Sequence, residues 1–278
     1  MPELPEVETV RRGLAQRILG ERVREVEFAR ADLRRPMPVA AIRALRGRRC
    51  TACDRRSKYL LIRFDGVGEP VVIVHLGMSG RVFVEDVHGR SLPPWRPHEH
   101  WRMRLGDRLV RYVDPRRFGA LDLVDAEGLA SHPLLASLGP EPLGPEFDAE
   151  YLFARTRGRK VAIKQLLMDA HVVVGVGNIY ASESCFRAGV RPSRAAGRLT
   201  RADCVKLVDA ARHVLERSIR AGGTTLRDYV GVAEDSGWFQ RELAVYGRAG
   251  EPCRVCGATI RHAVMGQRAT YWCPRCQR

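Results

Sequence analysis

The sequence predicts an α+β protein in which strands and helices occupy separate parts of the chain. Short apolar runs of strand length, separated by Gly, Asp and Pro, fill residues 60–123. Residues 149–222 instead repeat apolar side chains at helical spacing. Four cysteines in two closely spaced pairs mark residues 253–278. Because strands followed by helices are typical of α+β folds, we expect a strand-rich part, a helical part and a small terminal segment in that order.

The opening MPELPEVETV predicts a helix near the start of the chain. Pro5 suits the first helical turn, because the N–H that proline lacks would have no partner there. Glu6 and Glu8 complement the positive end of the helix dipole. Apolar residues at intervals of three and four positions share one face of this helix and are expected in the core: Val7, Val10, Leu14 and Ile18.

Pro2 and Glu3 precede this helix, and helix formation does not explain them. We expect Met1 to be removed, which leaves the secondary amine of Pro2 at the terminus. Such an amine can attack an aldehyde-like sugar carbon and form an iminium ion, an electron sink for eliminations. The reference α-amino pKa of about 7.7–8.0 makes the neutral amine accessible, and a nearby carboxylate can carry protons to and from the sugar. The helix dipole lowers this pKa and Glu3 and Glu6 raise it; the sequence leaves open which effect is larger.

The centre of the chain predicts a linker followed by helices. Residues 132–147 (HPLLASLGPEPLGPEF) contain four prolines and two glycines, a composition typical of a connection between domains. A short helix is expected to begin near Asn178. Thr200 can cap a longer helix that ends at Gly222 and Gly223. The apolar face of that longer helix consists of Cys204, Val208, Ala211 and Leu215.

The two terminal C-x2-C pairs predict a zinc site. They are sixteen residues apart, a spacing typical of a tetrahedral four-thiolate site with one structural Zn²⁺, and they consist of Cys253, Cys256, Cys273 and Cys276. A redox pair or a chance spacing is the alternative interpretation. The segment is too short to bury a core, so metal binding would supply its folding free energy, about 10–16 kcal/mol in finger peptides. Residues 260–272 between the pairs predict a β-hairpin.

The remaining cysteines have no such pattern. Cys50 and Cys53 form a third C-x2-C, but no partner pair accompanies it, and we interpret its surroundings as the approach to a strand. Cys185 and Cys204 fall in helical stretches and are interpreted as buried thiols.

The charge of the chain favours a polyanionic partner. Lys and Arg number 47 against 32 Asp and Glu, a net charge of +15, and basic side chains displace counterions from nucleic-acid phosphates. A solvated basic surface is the alternative. No apolar run of about 18 residues is present, and the N-terminus lacks the basic-then-apolar order of a signal peptide. We therefore expect a cytoplasmic protein without membrane contact, whose cysteines are reduced or metal-bound.

Six segments occur in one order and together resemble the bacterial formamidopyrimidine-DNA glycosylases, relatives of the endonuclease VIII group. They are PELPEVETV, SKYL, HLGMSG, DPRRFG, VGVGNIYASE and the four-cysteine finger. The resemblance extends from Pro2 to Cys276. It implies a β-sandwich with the N-terminal helix, a linker, a helix–two-turn–helix domain and a zinc finger, at residues 2–131, 132–148, 149–247 and 248–278.

The resemblance implies a monomeric bacterial base-excision repair enzyme that acts on double-stranded DNA at the nucleoid. Such enzymes remove oxidised purines, chiefly 8-oxoguanine and formamidopyrimidines, and then cut the abasic site by β- and δ-elimination. The implied catalytic residues are Pro2 as nucleophile on the sugar C1′, Glu3 as the acid that assists ring opening, Glu6 as a supporting and proton-sharing group, and Lys58 as a phosphate contact near the lesion. Taken alone, Lys58 is also compatible with a surface position at a strand edge.

The implied DNA contacts are of two kinds. Met78, Arg116 and Phe118 would fill the gap left by an extruded base, with Arg116 donating to the orphaned cytosine. The implied backbone contacts are His75, Asn178, Arg268, Lys164 and Tyr246. Taken alone, Met78 and Phe118 are better explained by core packing, and His75 by a core histidine.

The segment GGTTLRDYVG resembles the loop that closes over the flipped base. Gly222 and Gly223 favour a mobile lid, and a plain surface loop is the alternative. The implied base-reading residues are Thr224, Thr225, Leu226, Arg227, Asp228 and Tyr229, with the last four offering backbone amides to the base oxygen. We assign no role to residues 91–100 (SLPPWRPHEH).

Two other functions use the same segments. A damage-binding protein without turnover could keep every DNA contact, but the presence of Pro2, Glu3 and Lys58 argues against it. An enzyme for oxidised pyrimidines is the second alternative. The PELPEVETV start and the GGTT loop favour the purine branch.

Overall fold

The computed structural model of the chain describes residues 2–89, 91–223 and 242–278. These residues divide into two compact units. The first contains residues 2–136 together with Gly222 and Gly223, and the second contains residues 137–221 and 242–278. Strands dominate the first unit, and helices with one terminal hairpin make up the second, so the predicted α+β fold class is confirmed.

The first unit is a β-sandwich with a helix at its start. Its helices are α1 (Leu4–Ile18) and α2 (Val39–Arg43), and its strands are β1 (Val23–Phe28), β2 (Cys50–Arg56), β3 (Tyr59–Phe64), β4 (Val71–His75), β5 (Arg81–Asp86), β6 (Glu99–Leu105), β7 (Arg108–Val113) and β8 (Ala120–Val124). One antiparallel sheet has the order β1-β6-β7-β5 and the other β2-β3-β4-β8. Apolar side chains from both sheets and from α1 form one core.

Helix α1 forms as its sequence predicts. The four apolar residues at helical spacing are all buried, and Pro5 lies in the first turn. The helix packs beside β2, so its apolar face closes one side of the sandwich core. The chain start is therefore fixed by tertiary packing and does not depend on helix propensity alone.

Strands β1 and β6 were missed by the pattern of apolar runs. Every residue of β6 is buried, arginines included. Arg102 donates to Glu27 Oε2 at 2.7 Å, and Arg111 donates to Glu99 Oε2 at 2.7 Å. Because these buried charges are paired, the strand needs no apolar alternation.

The same two arginines explain residues 91–100, to which the sequence assigned no role. Arg102 Nη1 donates to the Pro93 carbonyl at 2.6 Å, and Arg111 Nη1 donates to the Pro94 carbonyl at 3.0 Å. The first part of the segment is thus a loop tied to the sheet, and its last two residues, Glu99 and His100, already belong to β6.

The interpretation of Cys50 and Cys53 as the approach to a strand is wrong, because both lie within β2. Both side chains are buried although their spacing is odd, since the strand register shifts between Cys50 and Ala52. The two Sγ atoms are 3.9 Å apart and belong to the sandwich core.

The second unit is helical and ends in a hairpin. Its elements are α3 (Ala149–Thr156), α4 (Ile163–Leu167), α5 (Asn178–Arg187), α6 (Arg201–Arg220), β9 (Arg261–Met265) and β10 (Arg268–Trp272). Thr200 caps α6 in a capping box with Asp203, and the predicted apolar face of α6 is buried. Cys185 and Cys204 are buried thiols, as predicted. Within the described residues, no helix is both long and apolar enough to cross a bilayer.

We predict that Leu14→Ala lowers the free energy of unfolding by about 2–5 kcal/mol, because Leu14 is 2% exposed in the core and its truncation leaves a cavity. Leu19→Ala is the matched control. Leu19 is 55% exposed just after α1, and its truncation is expected to change stability by less than about 0.5 kcal/mol. Denaturant titration of both variants measures the difference, and equal losses would contradict the packing assigned to α1.

Candidate functional site

The start of α1 holds two buried carboxylates next to Pro2. Glu3 is the N-cap residue and Glu6 lies three residues later, in a capping-box arrangement. The Glu3 backbone N–H donates to Glu6 Oε2 at 2.9 Å. Glu3 is 3% exposed and Glu6 4% exposed, and Pro2 is also buried. The arrangement fixes the backbone at residue 3 and keeps acid–base groups within one and four positions of Pro2.

The chain returns to this place through Gly223. A Cβ atom on Gly223 would lie 3.1 Å from Glu6 Oε1, and the residue has a positive φ of 88°. Glycine is therefore the residue that allows the close approach. The predicted base-reading residues follow directly but lie outside the described residues: Thr224, Thr225, Leu226, Arg227, Asp228 and Tyr229.

Lys58 lies in the two-residue turn between β2 and β3. Ser57, the other turn residue, is buried with a positive φ of 56°, and its carbonyl accepts from Arg55 Nη1 at 2.8 Å. The turn is thus held by side-chain bonding. The positive charge of Lys58 acts on His75, at the end of β4.

His75 is held as a neutral hydrogen-bond donor. Its Nδ1 accepts from the Gly77 N–H at 3.1 Å, and its ring lies 4.8 Å from that of Tyr59. Since a backbone N–H can only donate, the ring proton is on Nε2. Burial, followed by the charges of Lys58 and Arg34, lowers the pKa of His75 from 6.5 to about 4. A neutral Nε2–H donor is suited to an anionic oxygen at ordinary pH.

Two loops present large apolar side chains to solvent. Met78 is 38% exposed on the loop after β4, and Phe118 is 41% exposed on the loop after β7. The Arg116 guanidinium lies 4.7 Å from the centre of the Phe118 ring. Core packing therefore does not explain Met78 or Phe118.

A polar cluster in the second unit joins α4, α5 and β10. Lys164 is 1% exposed, and its Nζ donates to Asn178 Oδ1 at 2.6 Å, to the Ala269 carbonyl at 2.8 Å and to Thr270 Oγ1 at 2.8 Å. Asn178 Nδ2 donates to the Ala269 carbonyl at 3.0 Å and to the Tyr246 hydroxyl at 3.4 Å. The ammonium of Lys164 is directed into the protein, and the amide orientation of Asn178 is fixed by it.

The last predicted contact in this unit, Arg268, begins β10 and is exposed. The structure brings Lys164, Asn178 and Tyr246 into one hydrogen-bonded cluster, and it places Arg268 next in sequence to Ala269, which accepts from that cluster. These contacts remain predictions for DNA binding.

Two buried carboxylates that hold loops carrying predicted contacts were missed by the sequence patterns. Asp114 is fully buried and accepts from the backbone of the loop that carries Arg116 and Phe118. Glu183 on α5 accepts three backbone N–H groups, those of Ala244, Val245 and Tyr246, at 2.8–2.9 Å. Burial raises the pKa of Glu183, while these backbone bonds oppose the rise. Asp114 is the acid of the motif DPRRFG and Glu183 is the acid of NIYASE, so the presence of an acid in each motif was the signal that could have identified them.

The four finger cysteines form a site that fits a zinc ion. Their ligand atoms all lie within 4.8 Å of one another. The Sγ atoms of Cys253 and Cys276 are 3.9 Å apart and those of Cys256 and Cys273 3.4 Å apart. A tetrahedron with Zn–S bonds of about 2.3 Å has edges of about 3.8 Å, which the Cys253–Cys276 distance matches, while the Cys256–Cys273 distance is somewhat shorter. Among the described residues, this is the one group of three or more candidate ligands that meets the geometry.

Three family models match the chain in succession. They are the formamidopyrimidine-DNA glycosylase N-terminal domain over residues 1–121, the formamidopyrimidine-DNA glycosylase H2TH domain over residues 138–230, and the zinc finger found in FPG and IleRS over residues 250–278. Curated proteins named formamidopyrimidine-DNA glycosylase are 51% identical in Thioalkalivibrio sulfidiphilus and 50% identical in Burkholderia multivorans, with both chains covered completely.

The chain belongs to the formamidopyrimidine-DNA glycosylase family. Solved structures agree with this assignment. A Lactococcus lactis FPG mutant in complex with Fapy-dG-containing DNA superposes with a TM-score of 0.89 at 32% identity, covering all of both chains. The MutM (FPG) protein of Thermus thermophilus gives a TM-score of 0.86 at 39% identity, covering 99% of this chain and 98% of the other.

The family assignment confirms the zinc prediction for this glycosylase-family chain. The finger model spans all four cysteines, which are placed to bind one structural Zn²⁺. Backbone N–H groups of Val255 and Cys276 point at Cys253 Sγ and Cys273 Sγ, at 3.5 and 3.4 Å, and such bonds stabilise thiolate ligands. When bound, the metal would supply folding energy to the hairpin.

We predict that His75 titrates near pH 4 in the folded protein. NMR of the histidine ring signals measures this titration, and the signal that is missing in His75→Gln identifies the ring of His75. The folded pKa lies below the ordinary value, so the neutral form stabilises the fold above pH 6.5. The free energy of unfolding is expected to fall as the pH drops from 6.5 to about 4. This fall should be smaller in His75→Gln, which has no charge to gain. A titration midpoint near 6.5 would contradict the burial assigned to the ring.

We predict that the protein binds one zinc per chain and that Cys256→Ser lowers this content and unfolds the hairpin of residues 261–272. Metal analysis and the amide signals of β9 and β10 measure the two effects. Cys50→Ala is the matched control, since Cys50 lies in the sandwich core and its loss should leave the zinc content at one. Full zinc in Cys256→Ser, with an intact hairpin, would refute the four-thiolate site.

Proposed function

We propose that this chain is a base-excision repair glycosylase that removes oxidised purines, chiefly 8-oxoguanine and formamidopyrimidines, from double-stranded DNA. It then cuts the strand at the abasic site. Membership of the family supports the proposal, as do the lesion-containing DNA duplexes in complexes of its solved relatives. The observation that carries it is the pair of buried carboxylates, Glu3 and Glu6, beside Pro2 at the capped start of α1.

Base removal begins at the amine of Pro2, once Met1 has been cleaved off. The amine lone pair forms a bond to C1′, and the bond from C1′ to the base breaks with its electron pair on the base. The N–H proton of Pro2 passes to the departing base, which restores the nitrogen lone pair. Glu3 protonates the ring oxygen of the sugar, and the ring opens to an iminium ion. Glu6 supports this step by holding the backbone of Glu3, through the 2.9 Å bond to its N–H.

Strand cleavage follows from the positive charge of the iminium. Loss of a C2′ proton breaks the C3′–O bond, and subsequent loss of a C4′ proton breaks the C5′–O bond, so each elimination releases a phosphate. Water then hydrolyses the iminium and restores the amine of Pro2. The carboxylate of Glu3 accepts and returns protons in these steps.

Exposed side chains of the first unit support insertion into DNA. Met78 and Phe118 enter the space that the extruded base leaves, because unstacking a base costs a few kcal/mol and apolar contact recovers part of it. Arg116 donates to the acceptor edge of the cytosine opposite. The neutral His75 donor and the Lys58 ammonium contact phosphates beside the lesion.

The second unit contributes further backbone contacts. Asn178 and Arg268 contact phosphate directly, and Tyr246 is a further contact. Lys164 acts by orienting the Asn178 amide, since its ammonium is buried. The base itself is read by residues 224–229, which lie outside the described residues.

The domain division that fits this function is residues 2–131, 132–148, 149–247 and 248–278. One monomer suffices for the reaction, because all the proposed groups come from one chain. A bacterial enzyme of this class acts in the cytoplasm on nucleoid DNA.

We predict that borohydride added during reaction with a duplex containing 8-oxoguanine traps one covalent protein–DNA adduct at Pro2. Reduction of the iminium makes the bond permanent, and peptide mass spectrometry locates it. Acetylation of the Pro2 amine should abolish the adduct, because the nitrogen lone pair is then delocalised into an amide. Pro5→Ala is the matched control, since this proline carries no free amine and its replacement should leave trapping intact.

Two outcomes would contradict the proposal. Tight binding of the lesion duplex without any adduct would indicate a damage-binding protein. Faster excision of thymine glycol than of 8-oxoguanine paired with cytosine would indicate an enzyme for oxidised pyrimidines.

A further inference from the structure

The carboxylate of Asp114 connects the two loops that carry Met78 and Phe118. It is fully buried and accepts four hydrogen bonds. Oδ1 accepts from Ser79 Oγ at 2.5 Å and from the Arg116 N–H at 3.3 Å. Oδ2 accepts from the Gly119 N–H at 2.9 Å and from the Tyr112 hydroxyl at 3.2 Å. Four donors saturate the two oxygens of a carboxylate.

The backbone of Asp114 is fixed as well. Its N–H donates to the His98 carbonyl at 2.9 Å. Its own carbonyl accepts from His100 Nε2 at 2.7 Å and from the Arg117 N–H at 3.2 Å. Asp114 therefore cannot shift without breaking bonds to the sheet, and the groups it holds share that restriction.

The two loops also touch directly. A Cβ atom on Gly77 would lie 2.5 Å from the Phe118 backbone carbon, and one on Gly119 would lie 2.8 Å from the His75 carbonyl oxygen at the end of β4. The absence of a side chain at both glycines lets the loop after β4 lie against the loop after β7. The Ser79 bond to Asp114 joins the loops at a second point.

We propose that Asp114 is a positioning residue that holds the Met78 loop and the Arg116–Phe118 loop together as one preformed wedge. This inference rests on the proposed function, in which these side chains fill the gap beside an extruded base. Exposed loops normally lose conformational freedom on binding, and prior assembly of the wedge removes that cost from the insertion step. Asp114 itself touches neither the base nor the sugar.

The chemistry of the carboxylate selects the test variants. In Asp114→Asn an NH₂ group replaces one acceptor oxygen. The hydroxyls of Ser79 and Tyr112 can reverse and accept, but the N–H groups of Arg116 and Gly119 can only donate. Either orientation of the amide therefore leaves one loop N–H facing a donor. Ser79→Ala is milder, since it removes only the link to the Met78 loop, and Ser79→Thr retains the hydroxyl.

The experiment compares two DNA substrates. The first is 8-oxoguanine paired with cytosine in a duplex, which requires base extrusion and gap filling. The second is an abasic site in a single strand, which requires neither. We expect Asp114→Asn and Ser79→Ala to slow single-turnover excision on the duplex about tenfold or more, and to change cleavage of the single-stranded substrate less than about twofold. Ser79→Thr should restore most of the duplex rate.

Ser131→Ala is the matched control for Ser79→Ala. The Ser131 hydroxyl donates to the Gly128 carbonyl on an exposed segment after β8, and its loss should affect neither substrate. Thermal unfolding of each variant checks that the fold is retained. Wild-type rates of both Asp114→Asn and Ser79→Ala on the duplex would overturn the proposal. Equal losses on both substrates would also overturn it, because they indicate general structural damage.

Failure of the proposed function would be visible separately. The unsubstituted protein would then cleave neither substrate, and this result would contradict both the proposed function and the wedge proposal. If the unsubstituted protein is active but the Asp114 and Ser79 variants keep its rates, only the wedge proposal is contradicted.

Discussion

The proposed chemistry depends on holding a chain terminus still. Terminal residues normally fray, yet Pro2 must meet one carbon of a sugar with a defined geometry. The Glu3–Glu6 capping box at the start of α1 and the buried apolar face of that helix solve this problem together. Glu6 thus has a structural task in addition to any proton transfer. The sandwich core thus supports the start of α1, where the proposed nucleophile and acid stand.

Buried polar groups fix the backbone in other parts of the molecule as well. Asp114 accepts backbone N–H groups of one loop, and Glu183 accepts three from the segment that carries Tyr246. Lys164 donates to both α5 and β10. Each such group costs desolvation and is stable because its bonds are satisfied. As a result, the loops and irregular segments that carry the predicted DNA contacts have defined backbone positions.

The sequence predicted α1 and α6, in which apolar spacing and capping agree, and the finger hairpin, which lies between the two cysteine pairs. It missed β6, because the buried Arg102, which pairs with the half-exposed Glu27 of β1, interrupts the apolar pattern of that strand. It also missed Asp114, because the DPRRFG motif contains this acid but does not reveal that its side chain turns inward. Burial of Lys164 depends on acceptors more than 100 positions away, and pairwise spacing cannot reveal such contacts. Family resemblance supplied the site residues that spacing could not.

The hydrogen bonds of Lys164 link the terminal hairpin to the helices of the second unit. Two of its acceptors, the Ala269 carbonyl and Thr270 Oγ1, belong to the hairpin, and another is on Asn178. If the hairpin melts, the ammonium of Lys164, which is 1% exposed in the folded state, loses these two hydrogen bonds. The hairpin is therefore part of the second unit and supplies hydrogen-bond acceptors to a helical residue. Loss of zinc, which is expected to unfold the hairpin, would therefore also remove hydrogen bonds from the helical part of the second unit.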